Sequence, residues 1–144
     1  MPHQPRVLIV DDDLNILSAF EGFLKTEHCT TIACTSADEA LQTLESLQVQ
    51  LVITDVRLKY KSGATLLIRI RQLYPLLPVI VITGHPYLIT EKDIRRYGAD
   101  YYFLKPLELH LLREAVRKCL SPPSGKPRPY PSLTHIHHYP QDRP

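Results

Sequence analysis

Carboxylates, a hydroxyl and an ammonium close four apolar runs in this chain. Val7-Leu8-Ile9-Val10 ends in Asp11-Asp12-Asp13, and the run from Val49 to Thr54 ends in Asp55. Val79-Ile80-Val81-Ile82 ends in Thr83, and a weaker run, Tyr101-Tyr102-Phe103-Leu104, ends in Lys105-Pro106. If the runs are parallel strands of one sheet, all four endings meet at one rim. Asp11, Asp12 and Asp55 then crowd together, and like charges that close do not all ionise without a cation. A hard divalent ion such as Mg²⁺ answers this, since it is held by one or two carboxylates, waters and a substrate phosphate oxygen. Such a site suits a carboxylate nucleophile, Asp55, that accepts a phosphoryl group. Thr83 and Lys105 can hold the remaining phosphoryl oxygens, and this chemistry requires mainly positioning and charge stabilisation. Taken singly, each residue has a plainer reading: Asp13 as a helix cap, Thr83 as an ordinary strand end, Lys105 as a solvated cation. Their joint placement at successive strand ends is what points to a site.

Elements that could position these groups follow from periodicity. Residues 6–10 read as a buried strand, with Asp13 capping a helix whose face is Ile16, Leu17, Phe20, Phe23 and Leu24. Cys29 to Cys34 reads as a second strand, and Ser36-Ala37-Asp38-Glu39 as a capping box. The helix it opens carries Ala40, Leu41, Leu44 and Leu47 on one side. Ser62-Gly63 leads into a third helix with Leu66, Leu67, Ile70 and Leu73, stopped by Pro75 and Pro78. A fourth helix of weak pattern is expected over 87–97, with Leu88, Ile89, Ile94 and Tyr97 apolar and Gly98 as its stop. The last helix is expected over Pro106 to Leu120, with Leu109, Leu112, Val116 and Leu120 on one stripe. Five strands alternating with five helices predict an α/β fold, a doubly wound five-stranded parallel sheet covered on both faces.

Composition narrows the function classes. Of the 144 residues, 44% are apolar and 22% charged, which are globular values for one domain with a sizeable core. The net charge is +2, and Lys126, Arg128 and Arg143 against Asp142 account for it. The rest is neutral, which argues against bulk electrostatic binding of nucleic acid. No apolar run approaches a membrane span, and the start, Met-Pro-His-Gln-Pro-Arg, lacks a signal-peptide layout, so a cytoplasmic location is expected. Cys29, Cys34 and Cys119 are odd in number and not in metal spacing, and read as small core residues in a reducing compartment. Residues 121–144 contain seven prolines and lose periodicity, which predicts a disordered or polyproline-like tail. Within it, His135-Ile136-His137-His138 reads as solvated rather than as a metal site.

The motifs together resemble the receiver domain of two-component response regulators, over about residues 5–120. The matching features are Val-Leu-Ile-Val-Asp-Asp-Asp (7–13), Leu-Val-Ile-Thr-Asp (51–55) with Gly63 eight residues on, Pro-Val-Ile-Val-Ile-Thr-Gly-His (78–85) and Gly-Ala-Asp-Tyr-Tyr-Phe-Leu-Lys-Pro (98–106). The resemblance implies a flavodoxin-like strand order, 2-1-3-4-5, with Asp55 as phosphoacceptor. It implies Asp12 as a direct Mg²⁺ ligand, Asp11 as a ligand through water, and the Arg57 backbone carbonyl as a further ligand. Thr83 and Lys105 would contact the phosphoryl group, Tyr102 would be the switch aromatic, and Lys105-Pro106 would be cis. The implied donor is a phosphohistidine on a sensor histidine kinase or phosphotransfer protein, docking near Leu14, Asn15 and Ser18. The implied output is an altered face of the fourth helix, fifth strand and last helix, used for a downstream partner or a homodimer. The expected role is a signalling switch or relay, not primarily an enzyme, with slow loss of its own phosphoryl group.

The loop after the acceptor departs from the family pattern. Arg57-Leu58-Lys59-Tyr60-Lys61-Ser62 has three cations and no Pro. A carbonyl ligand tolerates any side chain, so Mg²⁺ binding need not be lost. The Arg57 guanidinium either reaches the acidic pocket or the phosphoryl group, or it points to solvent; His85 lies across the mouth. Two other readings stand beside the leading one. A Mg²⁺-dependent phosphohydrolase with an aspartyl nucleophile would use Asp11-x-Asp13, but no Thr follows Asp13 and Asp55 would be unexplained. A receiver-like interaction module that takes no phosphate is the other.

Overall fold

A computed structural model describes residues 4–58, 62–84 and 90–121. In chain order the elements are β1 (Arg6–Val10), α1 (Leu14–Thr26), β2 (Thr30–Cys34), α2 (Ala37–Ser46), β3 (Leu51–Asp55), α3 (Gly63–Leu73), β4 (Val79–Thr83), α4 (Glu91–Arg96), β5 (Tyr101–Leu104) and α5 (Leu109–Leu120). The five strands form one sheet in the order β2-β1-β3-β4-β5, and all neighbours are parallel.

The apolar runs are central strands because both of their faces are covered. Alternate residues point to opposite faces. Leu8, Val10, Val52, Val79 and Val81 join α2, α3 and α4 in one core. Val7, Ile9, Leu51, Ile53, Ile80 and Ile82 join α1 and α5 in the other. Each such fully buried side chain stabilises the fold by about 1.5–3 kcal/mol. The register then sets the rim. Val10 pairs with Thr54, Asp55 with Ile82, and Thr83 with Leu104. Asp11, Asp55, Thr83 and Lys105 therefore leave the sheet at the same edge.

Helix starts follow their caps. Asp13, Ser36, Ser62 and Thr90 are extended, and their side chains accept from the amides of Asn15, Glu39, Thr65 and Asp93. The Thr90 cap corrects the expected start of the fourth helix, which begins at Glu91; residues 85–89, including Leu88 and Ile89, lie outside the described residues. The last helix starts at Leu109, not Pro106, because Glu108 is extended (φ −92°, ψ 112°) and ends the turn after the cis Lys105-Pro106 bond. β2 starts one residue later than expected, at Thr30. Leu47, Leu73 and Leu109 stand at helix ends and are exposed; Arg71, Ala115 and Cys119 complete those buried stripes instead. The expected tail, with its histidine cluster, lies outside the described residues from 122 onward.

An ionic clamp ties α1 to α5. Glu27, the C-terminal cap of α1, accepts from Arg117 Nε at 2.8 Å and from Arg113 Nε at 3.2 Å. The hydrogen bond from Arg117 leads the effects that hold the Glu27 carboxyl below its usual range, against a smaller penalty from burial. A depressed folded pKa contributes stability above the unfolded value of 4.5 and loses it as pH falls through the folded pKa. Glu27→Gln is expected to cost about 1 kcal/mol at neutral pH, discounted for the exposed arginines. In urea denaturation the gap from wild type stays constant down to about pH 5 and closes below it; a gap independent of pH contradicts the clamp.

Candidate functional site

Asp11 and Asp55 reach the rim from neighbouring strands. The Asp11 amide donates to the Cys34 carbonyl at 3.1 Å, and Asp11 Oδ1 accepts from the Asp13 amide at 2.9 Å. Asp55 Oδ1 accepts from the Arg57 amide at 3.0 Å, while the Thr54 hydroxyl donates to the Asp55 carbonyl at 3.0 Å. Gly63, at the start of α3, packs against the backbone of the acceptor. The Gly63 amide donates to the Val56 carbonyl at 2.6 Å, and a Cβ at position 63 would stand 1.8 Å from the Asp55 carbonyl oxygen. Only glycine allows that approach.

Lys105 bridges the two acids. The Lys105 amide donates to the Thr83 carbonyl at 2.9 Å, which fixes its backbone at the end of β4. Its ammonium lies 2.9 Å from Asp55 Oδ2 and 3.4 Å from Asp11 Oδ2. The first is a charge-assisted hydrogen bond, the second a looser ion pair. Burial works against the Lys105 charge, but the hydrogen bond and attraction of Asp55, joined by Asp11, outweigh it and raise the Lys105 pKa. Asp11 goes the other way. Burial, with repulsion from Asp55, pushes its carboxyl up, and the Asp13 amide and Lys105 offset this only in part.

Two buried carboxylates thus share one ammonium. The negative excess is what a second, hard cation relieves, and the exclusively oxygen donor set suits Mg²⁺. Among the described residues no three His, Cys, Asp or Glu side chains converge as a cage. Asp12 is exposed at the mouth, so Asp11 and Asp55 are the buried pair. A site with few protein ligands fits an ion that keeps several waters.

The other expected site residues divide. Thr83 is fully buried at the end of β4. The Arg57 side chain is exposed, although its amide is on Asp55. Tyr102 pairs with Val81 across β4–β5, and its ring packs against the core under α4. The Tyr102 hydroxyl is buried with no hydrogen-bond partner among the described residues, and burial raises its pKa, helped by Glu91. His85 and residues 59–61 lie outside the described residues. Sequence reasoning passed over the amides of Arg57 and Asp13, whose identity no side chain reveals. It also missed Arg71, although Leu67 and Arg71 stand one turn apart on the buried stripe.

Similarity to known proteins agrees with this geometry. The family model described as the response regulator receiver domain matches residues 7–117. The heme response regulator HssR of Staphylococcus saprophyticus is 34% identical over 113 residues, which are 78% of this chain and 50% of that protein. The transcriptional regulatory protein GlrR of Escherichia coli is 30% identical over 121 residues, 83% of this chain and 27% of that protein. The chain thus spans half the length, or less, of these curated relatives. The crystal structure of the receiver domain of NtrX from Brucella abortus superposes with a TM-score of 0.74 at 31% identity, covering 79% of this chain and 97% of that one. Receiver domains are signalling modules, generally not enzymes; they pair with histidine kinases and typically depend on Mg²⁺. Among the described residues no helix is long and apolar enough to cross a membrane. With most of its length matched and the acidic rim in place, the chain belongs to the response regulator receiver domain family of two-component systems.

Proposed function

We propose that this chain accepts a phosphoryl group on Asp55 from a phosphohistidine of a sensor histidine kinase or phosphotransfer protein. The observation that carries the reading is the buried Asp55 carboxylate, held by the Arg57 amide on one oxygen and by Lys105 on the other. A phosphorus–oxygen bond to Asp55 forms as the donor's phosphorus–nitrogen bond breaks, leaving a mixed anhydride. Lys105 moves from the carboxylate to a phosphoryl oxygen, and Thr83, at the end of the adjacent strand, supplies a hydroxyl to another. Asp11, Asp12, Asp55 and the Arg57 carbonyl would hold Mg²⁺. When bound, that ion offsets the charge of the entering group. The unit is residues 5–120, with 121–144 as a tail. The fourth helix, β5 and α5 then form the output face, with Tyr102 as switch, for a downstream protein or a second copy. A cytoplasmic location fits a phosphohistidine donor of this kind.

Incubation with acetyl phosphate and Mg²⁺ tests the reading by intact mass. One phosphoryl group per chain on wild type and none on Asp55→Asn is expected; equal uptake by both overturns it. Multiple turnover on a phosphate monoester would favour a hydrolase instead.

Arg57 governs how long the group stays. Its amide is on the acceptor and its side chain is exposed, long enough for the guanidinium to reach a phosphoryl group on Asp55. Arg57→Asn is expected to change the decay rate of the phospho-form about fivefold, the worth of a ~1 kcal/mol charge interaction near water. Equal decay rates contradict that role.

A further inference from the structure

Thr54 places a buried hydroxyl on an otherwise apolar row of the sheet. It is 1% exposed and lies on the same face of β3 as Val52 and Val56, both in the core beneath α2 and α3. In register it stands between Val10 of β1 and Val81 of β4. Valine, with the same branching, would complete that row. Threonine adds a polar group that burial penalises unless it is bonded. The bond it makes is not to another strand. Its hydroxyl donates to the carbonyl of Asp55, the next residue, at 3.0 Å.

That carbonyl opens the turn that carries the acceptor. A Cβ at Gly63 would stand 1.8 Å from its oxygen, so α3 leaves it no room on that side. The next carbonyl, of Val56, accepts from the Gly63 amide at 2.6 Å. The amide after that, of Arg57, returns to Asp55 Oδ1 at 3.0 Å. The turn from 55 to 57 is thus tied at three points. Two of the donors are backbone amides. The third is the Thr54 side chain, and it is the one that a substitution can remove alone. Peptide units are rigid planes, so a rotation at the first is passed to the second and to the Arg57 amide.

We propose that Thr54 is a positioning residue for the acceptor: its hydroxyl fixes the Asp55–Val56 peptide plane, and through it the Arg57 amide and the Asp55 carboxylate. Its effect on rate presupposes that Asp55 takes the phosphoryl group; its hold on the turn does not.

Thr54→Val and Thr54→Ser in the full chain separate the hydroxyl from packing. Valine keeps both branches and fills the row. Serine keeps the hydroxyl but vacates a buried methyl and has less strand propensity. Thr54→Ser is therefore expected to be the less stable of the two in urea denaturation. The order reverses in function. With acetyl phosphate and Mg²⁺, Thr54→Val is expected to take up the phosphoryl group about tenfold more slowly than wild type, the worth of one hydrogen bond. Thr54→Ser is expected to stay close to wild type. In hydrogen exchange without metal or phosphoryl donor, the Arg57 amide is expected to exchange about tenfold faster in Thr54→Val, relative to Val7 and Ile9. In Thr54→Ser it is expected to be unmoved. A residue that only packs would put serine below valine in every measurement. Uptake by Thr54→Val at the wild-type rate overturns the role. So does an unmoved Arg57 amide in that variant, or Thr54→Ser slowed as much as Thr54→Val. If wild type itself takes up no phosphoryl group, the Arg57 amide still decides: faster exchange in Thr54→Val alone supports the hold on the turn and counts against Asp55 as acceptor.

Discussion

Arg71→Met is expected to lower folding stability by about 3–5 kcal/mol, the range for removing one partner of a buried ion pair. Methionine fills much of the volume, so the loss comes from polar groups rather than from a cavity. Asp100, with a side chain 15% exposed, would keep its charge without the guanidinium. The Gly98 carbonyl would also lose the donor it has at 2.9 Å. Total stabilities of such domains run to about 5–15 kcal/mol, so this one change threatens folding at physiological temperature. Combining Arg71→Met with Asp100→Asn is expected to recover part of the loss, because the charge goes while an amide oxygen still accepts from Val79. Urea denaturation of the two variants reads this directly. A cost within about 0.5 kcal/mol for the single variant would show that the pair is not structural.

Gly63→Ala is expected to cost about 3 kcal/mol, at the upper end of what overpacking a filled site costs. The added methyl carbon would stand 1.8 Å from the Asp55 carbonyl oxygen and 2.8 Å from its carbon. Neither partner can yield cheaply: Asp55 ends a central strand paired to β4, and Gly63 opens α3. Relief therefore has to move the segment between them, which includes the Arg57 amide on Asp55 Oδ1. The variant is expected to lose the rate of phosphoryl uptake along with stability. Full stability with slowed uptake would mean that the loop, not the helix start, absorbs the strain; stability and uptake both at wild-type level would contradict the close approach.

The strands and the acidic rim are legible in the sequence because each depends on local pattern. Apolar runs with β-branched residues mark Val7 to Val10, Leu51 to Thr54 and Val79 to Ile82, and a parallel sheet brings their ends together. The caps Asp13 and Ser36 are legible for the same reason, as is the start of α3 at Ser62-Gly63. The Thr90 cap is hidden, because the weak apolar pattern of Leu88 and Ile89 upstream suggests a helix that starts earlier. Arg71 was hidden because a cation on an apolar stripe is ordinarily solvated. Its burial depends on acceptors from Gly98 and Asp100, about one βα unit away in the chain. Glu27 likewise meets Arg113 and Arg117 only through the fold. Local spacing identifies groups that sit at element ends; pairs made across distant elements become visible only with the packing.

The central claim is that Asp55 carries the phosphoryl group as an acyl phosphate. Borohydride reduction after incubation with acetyl phosphate and Mg²⁺ tests it most directly, because hydride reduces an acyl phosphate to the alcohol and leaves free carboxylates alone. Peptide mapping is expected to find homoserine in place of Asp55 and unaltered aspartate at Asp11, Asp12 and Asp13. Reduction at one of those three, or none at Asp55 in a chain that has gained a phosphoryl mass, would contradict the account.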